Sequence, residues 1–316
     1  MKQGRVAIIG VVVLLLLVML IPVSCISVPV GVGGDKIAVI PLTGTITGTS
    51  GPLTYSGVIT PELVRGLLQE AEADASVKAI ILRVDSPGGE VAPCQEILEE
   101  IEQAKQSKPV VVSMGSIAAS GGYYISCEAD KIVALPGTLT GSIGVISQIP
   151  NLKGLFDKLG IEMQTFTGGE HKDMYAGYRN LTSDEQEIMQ SLVDEYYEQF
   201  IDVVAEGRGM DKEEVRSLAT GQLYTGSEAK ELGLVDELGG LDKAVEVATE
   251  LSGAVSPELK YYKPTAGSIL EKLLGLSSSE LSSLLKLRLL GLSGQDIVLL
   301  ETLTQTYPQP RYLVSP

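Results

Sequence analysis

The sequence predicts an α/β protein, and three observations predict it. Apolar runs short enough for strands recur along the chain. Segments with helical spacing of apolar residues separate them. Glycine or proline turns mark the changeovers. Strands alternating with helices imply a sheet with helices packed on it. "KIAVIPLTGTI" (36–46) reads as a first strand. In "TPELVRGLLQEAEAD" (60–74), Thr60 is suited to cap a helix and Pro61 to its first turn. "VKAIILRVDS" (77–86) is a continuous apolar run, as expected of a strand covered on both faces. Gly88 and Gly89 then turn the chain into an amphipathic helix over 90–106. "PVVVSM" (109–114) and "KIVALP" (131–136) predict two more strands. A helix near 151–159 and a strand "EMQTFT" (162–167) follow. Ser183 and Gln186 fit a capping box for a long helix over 184–206. No repeat of 20–50 residues is visible.

Composition narrows the function classes. With 316 residues, 44% hydrophobic, the chain can build a substantial core, but it has no tryptophan and three phenylalanines, so aliphatic residues must fill it. A formal net charge of -16 opposes binding to a phosphate backbone, so nucleic acid is not an expected partner. Cys25, Cys94 and Cys127 form no C-x-x-C pair, and with one histidine in the chain no zinc site is expected. Cys94 and Cys127 read as buried small residues. No metal, nucleotide or other cofactor motif is visible.

The two ends differ from the middle. "VAIIGVVVLLLLVMLIPV" (6–23) carries no charge and is long enough to cross a bilayer as a helix. Lys2 and Arg5 precede it, which places residues 1–5 in the cytoplasm and the bulk of the chain outside. A cleaved signal peptide is the rival reading, but its apolar region is normally shorter and no A-x-A-like site follows. "VSC" at 23–25 raises lipidation of Cys25 as another option. Residues 24–35 then read as a tether, 36–262 as the compact domain, and 263–316 as a leucine-rich helical segment with a proline-punctuated extended tail.

Ser120 carries the chemical interest. It sits in "SMGSIAASGGYYIS" (113–126), among small residues, at a strand-to-helix turn. A neutral serine becomes a nucleophile only with a base in reach and donors for the developing oxyanion. Gly121 N–H is one suitable donor. "DSPGGE" (85–90) ends a neighbouring strand and exposes glycine N–H groups at Gly88 and Gly89. Each turn alone is better explained as a plain turn or helix cap; two of them after successive buried strands carry more. For the base, the residues offer His171, the one imidazole, or its neighbour Lys172. A lysine base needs its ammonium destabilised by about 4–5 kcal/mol to bring a reference pKa of about 10.4 near 7. Burial away from carboxylates achieves this. The Asp173 carboxylate should therefore point away from such an amine.

Five blocks carry a further resemblance: "DSPGGE", "SMGSIAASGGYYIS", "TLTGSIGV" (138–145), "GGEHKDMYAGYRNLTSDEQ" (168–186) and "YTGSEAKELGLVDELGG" (224–240). In order and spacing, over roughly 35–262, they resemble the signal peptide peptidase A family of membrane-bound serine peptidases, in its short single-domain form. The resemblance implies a Clp protease/crotonase-like fold of repeated β-β-α units. It implies a dyad of Ser120 as nucleophile and Lys172 as general base, and an oxyanion hole from the N–H groups of Gly89 and Gly121. Ser142 would orient the lysine amine. It further implies a homo-oligomeric ring, an octamer, whose active sites are shared between subunits, and hydrophobic or unfolded peptides, including remnant signal peptides, as substrates. No cofactor is implied. The family's usual proline after the lysine is missing from "DMYAGYRN". Two other classes remain open. A crotonase-type acyl-CoA enzyme would use a similar oxyanion hole with a carboxylate base, and a non-catalytic membrane scaffold would need neither Ser120 nor Lys172.

Overall fold

The computed structural model describes residues 34–49 and 57–263. The apolar stretch at 6–23, most of the tether with Cys25, and nearly all of the segment 263–316 lie outside the described residues. Among the described residues, no helix is long and apolar enough to cross a membrane.

Ten strands and eight helices follow one another in these residues. The strands are β1 (Lys36–Thr43), β2 (Thr45–Ile46), β3 (Val58–Ile59), β4 (Val77–Ser86), β5 (Val110–Ala119), β6 (Lys131–Ala134), β7 (Leu139–Gly141), β8 (Leu223–Thr225), β9 (Glu237–Leu238) and β10 (Glu258–Tyr261). The helices are α1 (Pro61–Ala73), α2 (Val91–Lys105), α3 (Gly121–Tyr124), α4 (Lys153–Leu159), α5 (Ser183–Arg208), α6 (Lys212–Leu218), α7 (Gly226–Glu231) and α8 (Leu241–Ser252).

The main sheet runs β10-β1-β4-β5-β6-β9, parallel along that path. Parallel strands need crossovers that cover both faces, and the side chains divide accordingly. Ile37, Val39, Ile81 and Val111 face α8, packing with Ala244, Val247 and Ala248. Their sequence neighbours Ala38, Ile40, Ile80, Leu82 and Val112 face the other way, into the larger core with Leu68 of α1 and Ile97 and Ile101 of α2. That division explains why β4 reads as a continuous apolar run: its period-two pattern is filled on both sides.

Start signals act as their chemistry dictates. The Thr60 side chain accepts from Leu63 N–H, and Pro61 opens α1. The long helix α5 starts one residue earlier than expected. Thr182, not Ser183, accepts from Glu185 N–H, and the Glu185 carboxylate accepts from Thr182 N–H. The reciprocal cap forms with glutamate rather than Gln186 because Glu185 also meets a guanidinium, described below. Cys94 and Cys127 are buried free thiols.

The strand expected over 36–46 ends at Thr43, and Thr45–Ile46 pair instead with β3 in a separate small sheet; two further strand expectations need correction. The strand expected to end at Met114 continues to Ala119. Between the pairs Val84↔Met114 and Ser86↔Ala118, β5 advances four residues while β4 advances two. The Asp85 carboxylate fills this bulge by accepting from Ile117 N–H at 3.1 Å. A Cβ at Gly115 would come within 2.7 Å of Asp85 Cγ. A bulge bends its strand and lets it change partners. Here β5 leaves β6 and pairs Ile117–Ala119 with β7, which pairs antiparallel with β8. The second correction concerns 162–167, which forms no strand. These residues are exposed, Phe166 by 93%. Ladder hydrogen bonds need a neighbouring strand, and β-propensity alone does not supply one.

Candidate active site

The bulge in β5 decides where Ser120 lies. It carries the strand end onto β7, where Ser120 N–H donates to the Gly141 carbonyl at 2.8 Å. The next residue, Ser142, is held by its own N–H donating to Gln222 at 2.8 Å. Ser120 and Ser142 line one cavity of about 430 Å³, together with Tyr197 and Thr220. The sequence separates these serines by a short helix and two strands; β5–β7 pairing unites them.

Ser120 adopts φ 53° and ψ −121°, just before α3. A non-glycine residue in this region carries about 1–3 kcal/mol of strain. A sharp strand-to-helix turn of this kind thrusts a hydroxyl out of the backbone. Replacing Ser120 with glycine is expected to relieve the strain, offset by up to about 1 kcal/mol of extra unfolded-chain freedom. The net gain should be about 1 kcal/mol, or about 2–4 °C in Tm. Thermal unfolding beside Ser120→Ala, which keeps the strain, checks this; equal midpoints would contradict it.

The turn after β4 brings glycine N–H groups up to the serine. Gly88 takes φ 103°, and its N–H donates to the Ser86 hydroxyl at 3.1 Å. A Cβ on Gly88 would lie 2.6 Å from the Gly121 nitrogen and 3.0 Å from Ser120 Cβ, covering the donor. A Cβ on Gly121 would lie 2.6 Å from Cys94 Sγ and 3.1 Å from the Gly89 nitrogen. The N–H groups of Gly89 and Gly121 are therefore close neighbours beside the serine. Neither is engaged by another group among the described residues. Gly121 opens α3, where N–H groups have no partner within the helix. Gly89 is locked because Ile46 N–H donates to the Gly88 carbonyl and Glu90 N–H to the Ile46 carbonyl, both at 3.0 Å.

A second cavity of about 100 Å³ also reaches Ser120, lined by Gly89 and Gly121 and by apolar side chains including Val91, Tyr124 and Phe200. The rings of Tyr124 and Phe200 meet edge to face with centroids 5.1 Å apart. Cys94 also lines it; burial pushes its thiol up to about 12, with Glu90 adding to the shift, so it stays neutral beside the donors. Phe200 and Tyr196, which α5 brings to this wall, carried no signal in the sequence. Only the packing of a helix 80 residues downstream puts Phe200 beside Ser120.

The structure thus gathers Ser120, Gly89, Gly121 and Ser142. It does not bring Lys172 to them within the chain. Lys172 is exposed, lines neither cavity, and its amine has no hydrogen bond or ion pair among the described residues. Its backbone N–H donates to Gly169. Beside it, the Asp173 carboxylate is fully occupied: Arg179 donates from Nε at 2.9 Å and Nη2 at 2.6 Å, and the Tyr178 hydroxyl at 2.9 Å. No ion pair joins it to the Lys172 amine among the described residues. His171 Nδ1 lies 3.7 Å from Glu185.

A strained serine at a strand-to-helix turn, with two free glycine N–H groups and an apolar cavity beside it, is the arrangement that acyl transfer by a serine hydrolase requires. The chain's relatives give the class. The family model for peptidase family S49 matches residues 102–255, and that for Clp protease matches residues 58–140. Ser120 lies in both stretches. A protease-named relative from Synechocystis sp. is 39% identical over 218 residues, covering 69% of this chain and 75% of the relative. Protease 4 of Salmonella typhi is 40% identical over 232 residues, 73% of this chain but 37% of that protein. A relative from Enterococcus faecium named for signal peptide peptidase SppA is 41% identical over 180 residues, 57% of this chain and 52% of the relative. The chain belongs to peptidase family S49, the signal peptide peptidase A family, and is a serine peptidase with a Clp protease-like α/β fold.

Proposed function

We propose that this protein is a membrane-anchored endopeptidase that cleaves hydrophobic or unfolded peptides, remnant signal peptides among them, through a Ser120–Lys172 dyad. The observation that carries the reading is the meeting of the Ser120 hydroxyl with two unengaged N–H groups at the mouth of an apolar cavity. Ser120 attacks the peptide carbonyl as its proton passes to neutral Lys172. The oxyanion accepts from Gly89 and Gly121 N–H, fixed donors that need no reorganisation as charge develops. The lysine then returns the proton to the leaving amine, and water hydrolyses the acyl-enzyme. Ser142, beside Ser120, accepts from or donates to the lysine amine and orients it.

Lys172 lines neither cavity of its own chain, so a neighbouring subunit is the simplest donor of the base. A closed homo-oligomeric ring, such as an octamer, would place one subunit's 168–180 loop over the next subunit's Ser120. The uncharged stretch at 6–23 supports a single-pass anchor with the catalytic part outside the cytoplasm, where cleaved signal peptides are released. The apolar cavity favours an apolar side chain beside the scissile bond; its volume of about 100 Å³ suits a small or medium one. The test is hydrolysis of a fluorogenic apolar peptide by the full chain in detergent or vesicles. Turnover lost on Ser120→Ala is expected. Full turnover in that variant would reject peptidase chemistry at this serine and favour the acyl-CoA enzyme or scaffold readings.

A further inference from the structure

The Lys172 loop is tied to the helix that walls the cleft, and one side chain makes the tie. Arg179 grips Asp173 through Nε and Nη2 and Glu185 through Nη1 at 2.8 Å and Nη2 at 2.6 Å. Glu185 is 1% exposed and caps α5 by accepting from Thr182 N–H at 2.9 Å. The Tyr178 hydroxyl joins Asp173 to Thr165, 2.5 Å away, so the clasp reaches back across the loop. Further along α5, Tyr196, Tyr197 and Phe200 line the two cavities beside Ser120.

We propose that Arg179 is a positioning residue for catalysis: it fixes the loop that presents Lys172 and holds the Asp173 carboxylate away from the lysine amine. This rests on the dyad reading above. The geometry has both parts. A bidentate guanidinium–carboxylate pair is directional and strong, and Asp173 is the residue next to Lys172. Hydrogen bonds from Arg179, then Tyr178, hold Asp173 well below the usual carboxylate range, so it is an anion at every working pH. Arg179 likewise draws Glu185 down to about 2. The charged or titratable groups that meet in this cluster are His171, Asp173, Tyr178 and Arg179 from the loop and Glu185 from α5. Arg179 is the cation that occupies both Asp173 and Glu185. Without it, Asp173 is an adjacent anion able to pair with the lysine. An anion within 4–6 Å favours the charged ammonium, which is useless as a base.

The test is the pH profile of kcat/KM on the fluorogenic peptide, for the full chain. Arg179→Gln should move the acidic limb up by about one pH unit, with an about tenfold loss at pH 7. Adding Asp173→Asn to that variant should move the limb back, because the competing anion is gone. Asp173→Asn alone should leave the limb in place, because in the native protein that carboxylate is already occupied. A merely structural role predicts instead a uniform loss with an unmoved limb and no recovery in the double variant, which would overturn the proposal. If Arg179→Gln does not accumulate, Asp173→Asn decides: a downward shift of the limb by about one unit would show that the lysine senses Asp173 in the native protein, against the proposal. The dyad itself fails by a different result, wild-type turnover in Lys172→Ala. A dead Lys172→Ala beside an unmoved Arg179→Gln profile would sink the clasp and leave the dyad standing.

Discussion

Ser120→Ala is expected to lower kcat by about 10⁶-fold while leaving the fold intact. In serine hydrolases the nucleophile and base act as a unit, and loss of the nucleophile removes nearly everything the unit supplies. What remains comes from the oxyanion donors and binding. The small change in side chain cannot disturb much around it. Ser120 is partly exposed, its backbone is held through Gly141, and its carbonyl accepts from Tyr123 and Tyr124 N–H at 2.9 Å. None of these contacts involves the hydroxyl. A Ser120→Ala protein with native thermal unfolding and no turnover meets the expectation. A drop of only a few fold would mean that another group makes the attack.

Lys172→Ala is the second large effect, expected to be comparable because base and nucleophile are not additive. Here the site's incompleteness within one chain adds a consequence. If the lysine comes from the neighbour, Ser120→Ala subunits still offer a lysine and Lys172→Ala subunits still offer a serine. Mixing the two inactive proteins under conditions of subunit exchange should restore a fraction of wild-type turnover, because some interfaces then carry both groups. Dyads confined to one chain would give no recovery at any mixing ratio. His171→Ala should retain most of its activity, since its ring lies 3.7 Å from the buried Glu185 carboxylate, whereas the Lys172 amine has no partner among the described residues.

What the sequence disclosed follows the range of the forces involved. β4 and α1 were legible because their signals are local: an apolar run centred on Ala79–Leu82 and a threonine–proline start. The glycine turns at 88–89 and 121–122 were legible for a similar reason, since their small size is visible without coordinates. The extension of β5 to Ala119 was not, because it depends on a bulge filled by Asp85 and on pairing with β7. The exposed segment at 162–167 failed the opposite way: strand-forming residues are present, but among the described residues no strand pairs with them. Thr182 and Ser183 are both plausible caps by type, and the choice fell to the one whose third-position partner, Glu185, is also held by Arg179. The serine, its donors and Ser142 could be named from motifs, but the aromatic wall from α5 and the Arg179 clasp could not. Both arise where distant segments pack.

The most direct measurement is the rate at which a serine-directed fluorophosphonate labels the intact protein, with the adduct located by mass spectrometry. The account predicts one adduct, on Ser120, forming at a rate that collapses in Lys172→Ala and persists in His171→Ala. An adduct on another residue, or rapid labelling of Ser120 in Lys172→Ala with none in His171→Ala, would contradict it.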